Sequence, residues 1–340
     1  MYVSVRGRLW MQAEAANMVE SVGQYVKQRR IPVMIKEGDS LLTFFVPAIS
    51  GESIAHAYQL LLAEELKRSS ESVCKYCERG IFLKSSDDRV LEDAIGFKSK
   101  TKETKPYEIE EAIVKGCGVE DIGGFLYTGN PNVKRTSSFA VGYMLPVREA
   151  LRMTSIDPQL QSRYALGTKF MRAGDSSQAA GQMIYYVEIS SALFSFAFDL
   201  DTDYIGKYHF DAEKYGEAIQ GVNAAKRSTA ALDALKRLLI EFPVGAKRTR
   251  FNPADLRWDS LSIAVSDSVW TMPSAFSDDY MDRALAKKQS FSAGTIIYSF
   301  SEEMEKCTKK CEEKDQCQCL DSPEKVAAEA LNAAKGRVKS

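Results

Sequence analysis

Histidine is the scarcest chemistry-bearing residue of this chain, with two among 340 residues. That scarcity narrows acid–base catalysis, because a proton shuttle near neutral pH is most often an imidazole. No pair of carboxylates stands at a spacing that marks an acid and a base. The chain also lacks a Gly-x-x-x-x-Gly-Lys-Ser/Thr loop and a Gly-x-Gly-x-x-Gly turn after a strand, which argues against nucleotide hydrolysis and dinucleotide chemistry. No cofactor is expected. No apolar run approaches the roughly twenty residues that cross a bilayer, so no membrane partner is expected either. Charge is balanced to a formal −1, so any polyanion must be gripped by a local patch and not by a global field. The opening Met-Tyr-Val-Ser-Val-Arg-Gly-Arg alternates like a strand and does not read as a signal peptide, which points to a cytoplasmic location.

What is present is the composition of a globular chain, 45% hydrophobic and 27% charged, long enough to bury a large core. Residues 1–12 read as a strand with Tyr2, Ser4, Arg6 and Arg8 opposite Val3, Val5, Gly7 and Leu9. Segments 31–36 and 41–46 flank a turn at Gly38-Asp39 and predict a hairpin. Ser50 is a good N-cap for an amphipathic helix marked by Ile54, Tyr58, Leu61, Leu62 and Leu66, although Ser53 at the third helical position rules out a capping box. Short helices are expected at 88–95 and 108–115, separated by a lysine-rich run (98–105) that reads as a solvated loop. A strand is expected over 137–146, and the strongest strand over 182–199. Residues 212–241 read as helix, 260–266 and 295–299 as strands, and 323–335 as a closing helix. Strands and helices mix without a βαβα rhythm, which predicts an α+β fold with a largely antiparallel sheet and insertions.

Three segments are candidates for holding an anion. Residues 17–59 combine small polar groups, the cations Lys27, Arg29 and Arg30, the Ser50-Gly51 helix start and His56. Residues 153–181 interleave Arg163, Lys169 and Arg172 with Tyr164, Phe170 and Met171, ahead of Gln178. Cations there suit phosphates, and flat or apolar side chains suit bases. The stretch Arg148–Arg172 carries five cations against two anions. Lys247, Arg248 and Arg250 form a third basic loop. His56 has Glu52, Ser53, Gln59 and Leu60 as helical neighbours, company that favours a structural or contact role over a general base.

Cys74-Lys-Tyr-Cys77 is a Cys-x-x-Cys pair. Cys307, Cys311, Cys317 and Cys319 lie within thirteen residues. Disulfides or plain thiols are favoured for that tail cluster. Its spacing is not that of a standard zinc knuckle, so Cys307, Cys311, Cys317 and Cys319 are the lesser candidates for a metal.

Several blocks together resemble a known family. These are Asn17-x-x-Glu20-Ser21, the run Pro47-Ala-Ile-Ser50-Gly51-Glu52-x-x-Ala55-His56-Ala57-Tyr58-Gln59, Asp121-Ile-Gly-Gly-Phe125 and Gln182-Met-Ile-Tyr-Tyr-x-Glu-Ile. They are similar to the DevR-type (Cas-seven) backbone subunits of archaeal type I-A CRISPR Cascade, in the RAMP superfamily. The resemblance covers about residues 1–300 and leaves the cysteine-rich segment 301–340 outside. It implies an RRM-like (ferredoxin-like) palm with a finger hairpin at 17–46, a helical insertion at 69–130 and a thumb at 153–181. It implies a non-catalytic subunit that stacks with further copies of itself in a helical filament along a CRISPR RNA, beside other Cascade subunits. Bases are then displayed for pairing with target DNA. On that footing Asn17, Ser21, Gln24, Lys27, Arg29, Arg30, Ser50, Gly51, His56, Gln59, Arg163, Lys169, Met171, Arg172, Gln178, Lys247, Arg248 and Arg250 are expected to contact RNA, with no catalytic residue. The aromatic-rich signature of ordinary RNA-recognition domains is missing, so base stacking on the sheet face is not expected. The alternative is a metal-independent endoribonuclease of the same superfamily that uses His56.

Overall fold

A computed structural model describes residues 1–22, 25–99, 103–164, 182–244, 255–312 and 317–338. The strands in chain order are β1 (Tyr2–Glu14), β2 (Met18–Val22), β3 (Tyr25–Gln28), β4 (Arg30–Glu37), β5 (Ser40–Pro47), β6 (Phe125–Tyr127), β7 (Val133–Arg135), β8 (Phe139–Val141), β9 (Leu145–Pro146), β10 (Ser155–Tyr164), β11 (Gln182–Asp201), β12 (Asp255–Ser266), β13 (Ile296–Ser301) and β14 (Cys317–Cys319). The helices are α1 (Gly51–Arg68), α2 (Lys75–Glu78), α3 (Asp88–Ile95), α4 (Pro106–Gly116), α5 (Gly118–Gly123), α6 (Ala224–Glu241), α7 (Tyr280–Ser290), α8 (Met304–Glu312) and α9 (Pro323–Gly336). The fold is α+β around one ten-stranded mixed sheet.

β1 is its centre, antiparallel to β11 on one side and to β12 on the other. The alternation read in the sequence sets which face each residue takes. Val3, Val5, Leu9 and Met11 enter the main core. On the other face, the Arg6 guanidinium meets Asp199 at 2.9 Å and Arg8 donates to the Ala275 carbonyl at 3.1 Å. From β11, Phe194, Phe196 and Phe198 share the core face at every second position. Helices α1 and α6 cover that face, and the Tyr58 ring of α1 lies edge-on to Phe139 and Phe198. Each such fully buried side chain contributes about 1.5–3 kcal/mol.

Two sequence expectations shift. The predicted helix over 212–241 begins only at Ala224, because Gly216 and Gly221 hold left-handed backbone (φ 82° and 83°) and Asn223 caps the first turn. The predicted 137–146 strand divides into β8 and β9, which pair at separate places along β11. The 31–46 hairpin forms as read: β4 and β5 pair from Glu37↔Ser40 to Arg30↔Pro47 across Gly38-Asp39. Its turn end is held by an Arg152–Glu37 ion pair and by Arg148 donating to the Lys36 carbonyl at 3.1 Å. β11 is twenty residues long, about 65 Å at the usual strand rise. Its second half lies at the sheet centre, while its first half pairs with β10 and touches β3. The last helix, α9, places Val326, Ala330 and Leu331 in the main core. Among the described residues no helix is long and apolar enough to cross a membrane.

Candidate nucleic-acid interface

Asn17 organises the edge where β2, β3 and α1 meet. Its Oδ1 accepts from the Ser50 amide at 3.2 Å, from the Ser53 hydroxyl at 3.3 Å and from Arg29 Nε at 3.3 Å. Its carbonyl accepts the Arg29 amide at 2.8 Å. One asparagine therefore ties the cation of the incoming strand to the first turn of the helix. The Arg29 guanidinium continues outward to the Tyr143 hydroxyl at 3.4 Å, with its carbon 6.0 Å from that ring's centre. Ser50 caps α1 by accepting the Ser53 amide, which satisfies one of the orphan donors of the helix start. Gly51 is there because a Cβ would sit 2.5 Å from the Val141 carbonyl oxygen. That close approach seats α1 on β8.

Beside this hub, Arg30 forms an ion pair of 2.7 Å with Glu188, a carboxylate only 7% exposed on β11. Glu188 also accepts the Gln28 amide at 2.9 Å. Tyr25 stacks on Tyr186 with ring centres 4.8 Å apart. Lys27 is exposed, and neither Lys27 nor Arg29 has a carboxylate partner among the described residues. The predicted cations thus divide: Arg30 is committed to a buried carboxylate, while Lys27 and Arg29 keep donors for an incoming anion.

The other predicted residues scatter around this edge. Ser21 is exposed on β2. Ser50 and Gln59 are buried, Ser50 in the cap and Gln59 donating to the Ala55 carbonyl at 3.2 Å. Both frame the helix, with their side chains turned away from solvent. His56 is exposed on α1, edge-on to Phe82 at 5.1 Å, with no hydrogen-bond partner among the described residues. Arg163 pairs through its backbone with Met183 in the β10–β11 ladder. Gln24, Lys169, Met171, Arg172, Gln178, Lys247, Arg248 and Arg250 lie outside the described residues. Sequence reasoning missed Ser53, Tyr143 and Glu188. Glu188 carried a signal, a carboxylate in the middle of a largely apolar strand.

A second polar assembly lies in the interior. Arg135, Glu110 and Asp121 have fully buried side chains. Arg135 donates to Glu110 at 3.0 Å, to Asp121, and to the carbonyls of Lys207 and Tyr204 at 2.7 and 3.0 Å. Arg227 reaches Asp121 at 2.9 Å and Glu71 at 3.0 Å. The Asp121-Ile-Gly-Gly-Phe motif is thereby a structural knot. Nearby His209 is lowered to about 4, first by burial and then by the Arg135 charge, so it stays neutral at neutral pH.

The tail cysteines are joined as Cys307–Cys319 and Cys311–Cys317. This removes them as metal ligands, since a sulfur in a disulfide has no thiolate to offer.

Comparison with known proteins now gives this edge a context. The chain shares its fold with a chain of the "CRISPR RNA-guided surveillance complex, pre-nicking", at TM-score 0.54 and 11% identity, over 98% of this chain and 100% of that one. Residues 5–285 match the family model described as CRISPR-associated negative auto-regulator DevR/Csa2. Two relatives come from Saccharolobus solfataricus. CRISPR-associated protein Cas7/Csa2 1 is 34% identical over 86% of this chain and 88% of its own length. CRISPR-associated aCascade subunit Cas7/Csa2 2 is 33% identical over 82% and 84%. A CRISPR-associated protein Cas7/Cst2/DevR of Methanocaldococcus jannaschii is 22% identical over 83% and 87%. The chain belongs to the DevR/Csa2 family of CRISPR-associated proteins.

Proposed function

We propose that the chain is a non-catalytic CRISPR RNA-binding subunit that polymerises along the guide as the backbone of a Cascade interference complex in the cytoplasm. The observation that carries this reading is the edge built on Asn17, where Lys27 and Arg29 stand without carboxylate partners among the described residues while Asn17 and Tyr143 fix the guanidinium. Such oriented cations take phosphates without reading sequence. Family membership and the likeness to an aCascade subunit support the same assignment.

The sheet order β12–β1–β11 with β8 beyond, α1 following β1 and α6 following β11, supports the RRM-like palm. The β4–β5 hairpin is its finger. Pro32, Met34, Leu41 and Phe45 occupy one exposed face of that hairpin, a face suited to covering by the next copy or another Cascade subunit in a head-to-tail interface. Segment 153–181, which starts along β10, is the thumb. Target DNA is engaged by pairing with the guide, not by protein contacts to its bases.

The test is incubation of the purified chain with repeat-containing RNA. Tight, salt-sensitive binding with no cleavage, the same for wild type and His56→Ala, is the expected result. Cleavage by the wild type that His56→Ala abolishes would replace this reading with the endoribonuclease. Electron microscopy on RNA should show ordered filaments that are lost when 153–181 is deleted.

A further inference from the structure

The Cys74-x-x-Cys77 pair does not stand alone. The fold brings Cys117, at the junction of α4 and α5, and Glu120, within α5, against it. All four residues are buried, and their three sulfurs and one carboxylate oxygen lie within 4.8 Å of one another. From this geometry we infer a structural zinc site with Cys74, Cys77, Cys117 and Glu120 as its ligands.

Local structure supports each ligand. Cys74 is the N-cap of the short α2 turn, and its sulfur accepts the Cys77 amide at 3.5 Å. An amide aimed at sulfur favours the thiolate that a metal needs. The Glu120 carboxylate is oriented from behind by Ser85, whose amide donates to Oε2 at 2.7 Å and whose hydroxyl donates to Oε1 at 3.2 Å. Oriented ligands of this kind are the usual support of a metal centre. Glu120 Oε1 lies 3.7 Å from the Cys74 sulfur. A tetrahedral zinc with bonds of about 2.3 Å to sulfur and about 2.0–2.2 Å to oxygen has ligand–ligand edges of roughly 3.5–3.8 Å. The thiol–carboxylate contact already has that length, and the widest separation closes with about 1 Å of movement.

The chemistry of the set selects the ion. Three thiolates with one carboxylate suit zinc over magnesium or calcium, which take oxygen. Four protein ligands leave no open position, so the role is structural. A disulfide is the competing use of these thiols, as in the tail, but it would join two sulfurs and leave a third beside a buried carboxylate. Divalent zinc uses all four groups, and the thiol protons leave to solvent as the bonds form. Lys84 offsets half of the negative charge that remains: its ammonium donates to the Gly123 and Gly124 carbonyls at 2.6 and 2.7 Å, within the field of Glu120, Cys77 and Cys117. The site joins the 74–77 turn to α5, which itself carries Asp121. It therefore pins the helical insertion beneath α1.

The full chain purified without chelator should carry about one zinc per chain by plasma mass spectrometry, falling at least tenfold in a Cys74→Ser/Cys77→Ser variant. Cys311→Ser/Cys317→Ser should leave the content unchanged. Because the first variant risks misfolding, the second readout uses wild type: metal-stripped, reduced chain titrated with cobalt(II) should develop sulfur-to-cobalt charge-transfer bands and the visible bands of tetrahedral cobalt, bleached by added zinc. No co-purifying zinc together with no tetrahedral cobalt spectrum would overturn the inference. So would mass mapping that finds any two of Cys74, Cys77 and Cys117 joined as a disulfide in the freshly purified chain.

Discussion

Asp121 and Asn17 each gather arginine and backbone donors, yet the two surroundings are built in opposite ways. Around Asp121 two guanidiniums meet Asp121, Glu110 and Glu71, and their remaining donors reach backbone carbonyls and a hydroxyl. Around Asn17 the hub is neutral, and the Arg29 guanidinium is held at one edge by an amide oxygen and at another by a phenol. A buried guanidinium must be neutralised and saturated, or its desolvation goes uncompensated. A cation meant for an external phosphate must be oriented without being neutralised. The chemistry of the partner, carboxylate or amide, therefore separates the arginines that hold this fold from those that face outward. Arg30 lies between the two kinds, half in water and paired with the buried Glu188.

That comparison can be broken by mutation. Asp121→Ala should have the largest effect, about 3–5 kcal/mol in urea unfolding, because it takes from two buried guanidiniums the carboxylate they share and leaves each with one; a loss below about 1 kcal/mol would mean that the knot is not structural. Arg30→Ala should cost about 1–2 kcal/mol, since Glu188 keeps the Gln28 amide and Arg30 is partly solvated. Ser50→Ala should cost about 1 kcal/mol through the lost cap. Lys27→Ala with Arg29→Ala should move stability least, within about 0.5 kcal/mol. The same pair should flatten the slope of log affinity for single-stranded RNA against log salt by about 1.4, roughly 0.7 per lost phosphate contact. An unchanged slope would detach the Asn17 edge from RNA binding, and a large stability loss would place Arg29 with the interior arginines.

How much of this was legible in the sequence follows the range of each interaction. The hairpin at Gly38-Asp39 and the Ser50 cap are local, and both formed where read. Asn17, Arg29 and Ser50 were legible as polar residues in one stretch, and the fold brings them together. Glu188 and Tyr143 were not, because they reach the site from β11 and from the β8–β9 link, more than ninety residues away along the chain. Arg30 reads as a free cation until its distant carboxylate is seen. The cysteines show the same limit. The dense tail cluster drew the lesser metal reading beside the favoured one of disulfides or thiols, and it forms two nested disulfides. The sparse Cys-x-x-Cys finds its further ligands some forty residues on, where spacing alone carries no signal.

The most direct test of the central claim is to purify the chain from its native cell under mild conditions and sequence whatever nucleic acid remains bound. The account predicts CRISPR repeat–spacer RNA, retained by wild type and depleted when Lys27 and Arg29 are replaced. A chain that emerges free of RNA, or bound to RNA unrelated to CRISPR repeats, would contradict it.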